Sequence, residues 1–264
     1  MTGLDADRVF STSKYRSKAF AICFASLSVL IAIICYPLSW LGSDRLVRPL
    51  VTIYGRCVLF AFRHIIGVKM SYIGRENVPR DGSVIIAPKH QSYADGYSLY
   101  PQKLGAAFVL GRRIYEKPIL HRIAKRMGFL IADERGGPDG IERLKNQVRD
   151  LPQPPRVVIF PEGKLNALGT TDGYKQGIYH LYQMMNCPVV PVASNIGIAW
   201  PLNEPMKRAA HVTFEYLTPI ERGLTKGVFM DTLERRIETA TARLVQNEFA
   251  RQMAENEKTK AQKA

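Results

Sequence analysis

The sequence predicts an α/β domain, a mixed, largely parallel sheet flanked by helices, behind an N-terminal membrane-anchoring helical hairpin. Two observations carry this expectation. From Ser83 onward, short apolar runs rich in β-branched and aromatic residues alternate with stretches of helical pattern, the order produced when helices connect successive strands. Ahead of them, residues 19–40 contain no charged side chain, a length sufficient to cross or deeply enter a hydrocarbon core of about 30 Å.

That apolar stretch exceeds the core of a secretory signal, and no clear small-residue cleavage site follows it. Its flanks are balanced, with Arg8, Lys14, Arg16 and Lys18 before it and Arg45, Arg48, Arg56 and Arg63 after it. The positive-inside rule therefore gives no preference, as expected if both ends stay on one side. Residues 46–70 are apolar but punctuated by arginines, Pro49, Gly55 and Gly67, which fits an interfacial helix better than a second full crossing. The expected division is a membrane anchor over 1–72, with a hydrophobic helix at 19–40 and an interfacial helix at 46–70. A catalytic-type α/β domain over 73–250 and a disordered basic tail over 251–264 follow.

Within the domain, strands are expected at 84–87, 106–110, 157–160, 189–193 and 212–217, and helices at 115–127, 139–150 and 175–185. Leu233, Ile237, Ala240 and Leu244 form an apolar stripe at helical spacing, so 231–249 reads as an amphipathic helix packed on the domain. The net charge of +14 points to an anionic partner. With an apolar anchor beside it, that partner is an anionic membrane surface. No aromatic-interleaved basic motif or recognition helix supports nucleic acid. Three of the four cysteines (Cys23, Cys35 and Cys57, but not Cys187) lie in the anchor, and no CxxC or Cys/His cluster occurs. Neither a zinc site nor a disulfide framework is supported.

The chemistry-bearing stretch is Lys89-His90-Gln91-Ser92-Tyr93-Ala94-Asp95, directly after the apolar run 84–88. Histidine exchanges a proton near neutral pH. A carboxylate accepting its other N–H fixes the tautomer and stabilises the imidazolium that forms. His-x4-Asp after a strand is thus a way to build a general base, although the spacing also occurs by chance in locally hydrogen-bonded loops. A second block, Phe160-Pro161-Glu162-Gly163-Lys164, ends a strand where open α/β sheets bind ligands. Glu162 fits either a site role or a turn-capping one. A third, Pro188-Val189-Val190-Pro191-Val192, is a proline-bracketed strand, and Gly128 to Gly137 ends an apolar segment in a charged, glycine-rich turn.

In this order, the blocks resemble those of the glycerolipid acyltransferases, in particular bacterial 1-acylglycerol-3-phosphate acyltransferases, over roughly residues 83–244. The resemblance implies transfer of a fatty acyl group from acyl-CoA or acyl carrier protein to the sn-2 hydroxyl of a lysophospholipid. The acceptor resides in the membrane, the thioester is a co-substrate, and no further cofactor or metal is implied. His90 would be the base and Asp95 its orienting partner, without an enzyme nucleophile, at the cytoplasmic face of a bacterial inner membrane. Backbone N–H groups at Asp95-Gly96 or Gly163-Lys164 are candidate oxyanion donors. Glu162, Gly163, Lys164, Arg135, Arg112 and Lys175 are candidates for substrate binding, and Val190 and Pro191 for lining the acyl channel. Arg135 and Lys175 fit solvated positions equally, whereas Lys164, adjoining the glycine turn, is the better ligand candidate.

The chain departs from the family pattern at the headgroup. Where the third block usually continues Thr-Arg-Ser, this chain has Lys164-Leu165-Asn166, and a lysine lacks the planar fork suited to phosphate. Gly111-Arg112-Arg113-Ile114 precedes Pro118 without the usual glutamate. Acceptors such as lyso-ornithine lipid or another lysophospholipid therefore stand beside 1-acylglycerol-3-phosphate. No nucleophile elbow supports a hydrolase.

Overall fold

The run Val84-Ile85-Ile86-Ala87 has no polar member, the pattern of a strand covered on both faces. In the computed structural model every residue of β2 (Val84–Pro88) is buried. The structure describes residues 6–41, 44–102, 104–112, 116–133 and 137–262. The other strands are β1 (Lys69–Ile73), β3 (Ala107–Gly111), β4 (Leu130–Ala132), β5 (Arg156–Val158), β6 (Val189–Ser194) and β7 (His211–Tyr216). Among the described residues they form one sheet in the order β1-β7-β6-β2-β5-β3-β4. Pairing is parallel throughout except between β6 and β7, the mixed, largely parallel sheet expected.

Eight α-helices accompany the strands among the described residues: α1 (Ala6–Val9), α2 (Lys14–Trp40), α3 (Asp44–Ala61), α4 (Ala94–Leu99), α5 (Pro118–Met127), α6 (Pro138–Arg149), α7 (Gly177–Met185) and α8 (Lys226–Ala261). Local sequence explains several boundaries. α5 and α6 begin on prolines, which lose nothing at a first helical turn, and α5 ends at Gly128 with φ +70°, a left-handed cap that favours glycine.

Strand alternation assigns the two faces. Val84 and Ile86 of β2, with Val190 and Val192 of β6, pack toward Phe20, Phe62 and Trp200 on the hairpin side. Ile85 and Ala87, with Val189, pack toward α6, α7 and α8 through Leu144, Ile178, Leu181, Phe229, Leu233 and Ile237. The α8 stripe is the one its sequence spacing predicts.

Three expectations need correction. The interfacial helix does not reach Met70: α3 passes through a π-helical turn, Phe62–Ile66, and stops at Gly67 (φ +94°). Residues 69–73 then form β1, which pairs with β7, so a boundary at 72/73 cuts a strand of the sheet. The third concerns the tail, which is helical through Ala261. Arg251 pairs with Glu248 and Glu255, and the Asn256 amide donates to the Val9 carbonyl at 2.8 Å. The last contact joins opposite ends of the chain, which a composition argument cannot see.

α2 and the stretch Asp44–Ile66 are long and apolar enough to cross a membrane. They pack as a hairpin: Ser28 Oγ and Tyr54 Oη are 2.7 Å apart, and Phe20 and Phe24 meet Trp200 edge-on at 5.1 and 5.4 Å. Cys35, Val47 and Met127 continue the contact toward α5. The outward face keeps Ile22, Val29, Leu30, Ile33, Ile53 and Phe60 exposed, large apolar side chains of the kind that mark an interaction surface when they gather on one face. Both ends of the hairpin are fixed to the same domain. Before it, Arg208 bonds Asp7 at 2.9 Å and Phe10 packs edge-on against Phe249 at 4.9 Å; after it, Gly67 leads into β1.

With the four native cysteines replaced, cysteines introduced at Lys14 and Arg222 in membrane-embedded protein are therefore expected to react with an impermeant maleimide from the same side. Labelling from opposite sides contradicts the shared attachment of the hairpin ends.

Candidate active site

β2 ends at Pro88, and the next residue is a lysine with 1 % exposure. Burying an ammonium is costly unless acceptors surround it. Lys89 Nζ donates to Glu162 Oε2 at 2.8 Å, Glu238 Oε1 at 2.8 Å and the Thr170 carbonyl at 3.2 Å, which uses its three protons. Glu162, equally buried, also accepts from the Asn166 amide at 2.6 Å, and its Oε1 accepts the His90 backbone N–H at 2.8 Å. The Asn166 N–H returns to the His90 carbonyl at 2.9 Å. The loop after β2 and the turn after β5 are thus stitched together around His90.

The His90 side chain is 23 % exposed and Asp95 is fully buried. Asp95 Oδ2 lies 2.9 Å from His90 Nδ1 and accepts the backbone N–H groups of Gln91 and Ser92 at 2.8 and 2.9 Å. A carboxylate oxygen facing Nδ1 makes that nitrogen the protonated one, leaving the lone pair on Nε2. The four-residue gap works because Asp95 sits in the first turn of α4 and folds back over the loop before it. Phe160 stacks on the imidazole with centroids 4.0 Å apart and planes at 24°, which holds the ring.

His90 borders a cavity of about 360 Å³ at the carboxyl ends of β3, β4 and β5, the position where open α/β sheets bind ligands. Its walls include Val109, Ile141, Leu144, Ile159 and Ile178, and Lys175 and His180 lie at its rim. Burial, with Lys145 and Lys226 nearby, holds the His180 imidazole below its ordinary pKa.

The residues singled out in the sequence separate into groups. His90, Gly163 and Lys175 border the cavity, while Asp95 and Glu162 stand directly behind the imidazole. Gly163 has φ +68°, and a side chain there would meet Lys175 Cγ at 3.0 Å; its N–H donates to the Phe160 carbonyl at 3.1 Å within its own turn. Lys164 turns to solvent and pairs with Asp172, whose carboxyl it holds below the usual carboxylate range. Arg112 is exposed and paired with Glu116 and Asp133. Arg135 lies outside the described residues. Val190 and Pro191 are buried in β6 and do not border this cavity; Val190 packs with Ile86 toward the hairpin, the face opposite the cavity walls.

Sequence reading missed Lys89, Asn166, Tyr174 and Glu238 as a group. Tyr174 Oη donates to Glu238 Oε1 at 2.9 Å. A faint signal existed in α8, where Glu234 and Glu238 recur one turn apart beside the apolar stripe. Only the fold brings them to Lys89.

Replacing Glu162 by alanine takes one of two carboxylates from the buried Lys89 ammonium and leaves the His90 N–H without its acceptor, an effect of about 3–5 kcal/mol. Thermal unfolding of Glu162→Ala should therefore show a Tm lower by about 10 °C, with Glu162→Gln closer to wild type. An unchanged Tm in the alanine variant contradicts the stitching role.

The chain has relatives among known proteins. The acyltransferase family model matches residues 69–195, from β1 to the end of β6. The 1-acyl-sn-glycerol-3-phosphate acyltransferase of Limnanthes douglasii is 24 % identical over 225 residues, covering 82 % of this chain and 77 % of that protein. The enzyme of the same name from Pseudomonas aeruginosa is 27 % identical over 155 residues, covering 58 % and 60 %. The crystal structure of the 1-acyl-sn-glycerophosphate (LPA) acyltransferase PlsC from Thermotoga maritima superposes with a TM-score of 0.67 at 17 % identity, over 88 % of this chain and 97 % of that one, which establishes a shared fold. The family model and these relatives converge: the chain carries an acyltransferase domain over residues 69–195, is an acyltransferase, and is similar to the glycerolipid acyltransferases.

Proposed function

We propose that the protein transfers a fatty acyl group from acyl-CoA or acyl carrier protein to the sn-2 hydroxyl of 1-acylglycerol-3-phosphate, giving phosphatidic acid. The observation that carries the reading is the His90 Nδ1–Asp95 Oδ2 contact of 2.9 Å at the edge of an apolar cavity. Nε2 of His90 takes the proton of the acceptor hydroxyl as its oxygen attacks the thioester carbonyl. The C–O bond forms, the tetrahedral intermediate collapses, the C–S bond breaks, and His90 returns the proton to the departing thiolate. Asp95 supports the transient imidazolium. The apolar walls formed by Val109, Ile141, Leu144, Ile159 and Ile178 suit a fatty chain, and Lys175 at the rim suits the acceptor phosphate.

The exposed face of the hairpin supports membrane attachment from one side, with the lipid acceptor approaching laterally and only its headgroup reaching His90. The donors named are cytoplasmic, so a bacterial inner membrane with the domain on its cytoplasmic face is the location this reading requires. A second acceptor class is favoured by one feature: Leu165 is half-buried where the family places an arginine, and neighbouring Lys164 is engaged by Asp172. A lyso-lipid with another headgroup, such as lyso-ornithine lipid, fits a site with less phosphate-binding charge.

His90→Ala should abolish acyl transfer while leaving membrane attachment intact, and Asp95→Asn should lower kcat by about 100-fold or more. Retained turnover in His90→Ala contradicts the mechanism. Presenting the wild-type enzyme with a panel of lyso-acceptors tests the headgroup, and absence of turnover of 1-acylglycerol-3-phosphate eliminates it in favour of the second class.

A further inference from the structure

The general base sits on a loop whose anchoring lysine is held from two directions. One partner, Glu162, comes from the turn after β5. The other, Glu238, comes from α8, 148 positions after His90 and outside the stretch matched by the family model. Glu238 Oε1 receives Lys89 Nζ at 2.8 Å and Tyr174 Oη at 2.9 Å. Burial and the Glu238 carboxylate push the Tyr174 hydroxyl far above its ordinary pKa, so it stays a donor. Burial and neighbouring Glu238 also raise the Glu234 carboxyl, against the opposing pull of Lys89.

We propose that Glu238 is a positioning residue for acyl transfer, holding Lys89 so that the Lys89–Glu162 pair keeps the His90 backbone where its imidazole can work. The chain of contacts is short. Without Glu238, one Lys89 proton is buried with no acceptor, and the ammonium has only Glu162 and the Thr170 carbonyl to turn to. Glu162 cannot follow freely, because Oε2 is shared with Asn166 and Oε1 holds the His90 N–H. Any shift of Glu162 is passed to the main chain of His90. A general base is sensitive to such movement, since displacement by about 1 Å can cost 100-fold in rate. Among the described residues Glu238 does not line the cavity and its hydrogen bonds go to Lys89 and Tyr174, so its effect should fall on kcat rather than on substrate affinity. The proposal rests on His90 acting as the base.

The test uses the purified full chain in lipid vesicles, with 1-acylglycerol-3-phosphate and whichever of oleoyl-CoA or oleoyl-acyl carrier protein the wild type accepts. Glu238→Ala is expected to lower kcat by about 10- to 100-fold with KM nearly unchanged. Glu238→Gln retains an acceptor oxygen for Lys89 and Tyr174 and should recover most of the loss. Ile237→Val, one residue away in the α8 stripe, removes a buried methyl from the same helix and should keep wild-type kcat. Wild-type kcat in Glu238→Ala, a loss confined to KM, or an equal loss in Ile237→Val overturns the proposal. Should the alanine variant not fold, Glu238→Asp, which draws the carboxylate back from Lys89, is expected to give intermediate kcat, and wild-type kcat there overturns it too. His90→Ala separates the two ideas: activity in it removes the base itself, whereas an inactive His90→Ala beside a fully active Glu238→Ala removes only the positioning role.

Discussion

A lysine ammonium buried among two carboxylates and a carbonyl organises this molecule. Lys89 cannot lie at 1 % exposure without its acceptors, and they come from two places far from it in sequence: the connection after β5, which supplies Glu162 and Thr170, and α8. Such a pair adds little net stability compared with well-packed apolar residues, because desolvation consumes most of the Coulombic gain. Its consequence is geometric. A buried charge tolerates few arrangements, so the loop after β2 has essentially one path, and that path leads directly into His90. The backbone N–H of His90 and the side chain of Asp95 then complete the arrangement from opposite ends of the imidazole-bearing loop.

The sheet divides labour between its faces. Alternate residues of β2 and β6 face the hairpin, whose far side is apolar and exposed, while the others face α6, α7 and α8. The cavity opens on the second set, at the carboxyl ends of β3, β4 and β5, and His90 reaches it from the end of β2. The membrane-directed surface and the reacting group are therefore built on one rigid unit rather than joined by a linker. The N-terminal segment reinforces this, because Asp7, Val9 and Phe10 are fastened to Arg208, Asn256 and Phe249. Under the proposed function, a lipid acceptor held at that surface would have a fixed distance and direction to His90.

Much of this could be read from the chain, and the failures have physical causes. The His90–Asp95 pair was legible because one short loop and one helical turn bring it together, leaving little for tertiary structure to decide. β2 and β6 were legible because full burial leaves an unbroken apolar run. β1 was hidden, since an edge strand with polar members following an apolar helix carries no clear period, and β4 is too short to carry any. Val190 looked like a channel residue because buried apolar positions look alike in sequence. Which face of the sheet it occupies depends on strand register and on where the helices pack. Glu238 was illegible for a related reason: a glutamate beside an apolar stripe is usually solvated, and only the packing of α8 against the sheet at β6 brings it to Lys89. Lys164 erred in the other direction, a charge next to a glycine turn that pairs locally with Asp172 instead of facing the cavity.

The central claim is that a fixed histidine base lets the acceptor hydroxyl attack the thioester directly, with no covalent intermediate on the protein. Rapid-quench mixing of the wild-type enzyme with a radiolabelled acyl thioester, in the absence of any lyso-acceptor, measures this most directly. The account predicts no burst of released thiol and no label on the denatured protein, with both product and thiol appearing only once acceptor is added. A burst of thiol equal to the enzyme concentration, accompanied by covalently labelled protein that transfers its label when acceptor is added, would contradict it.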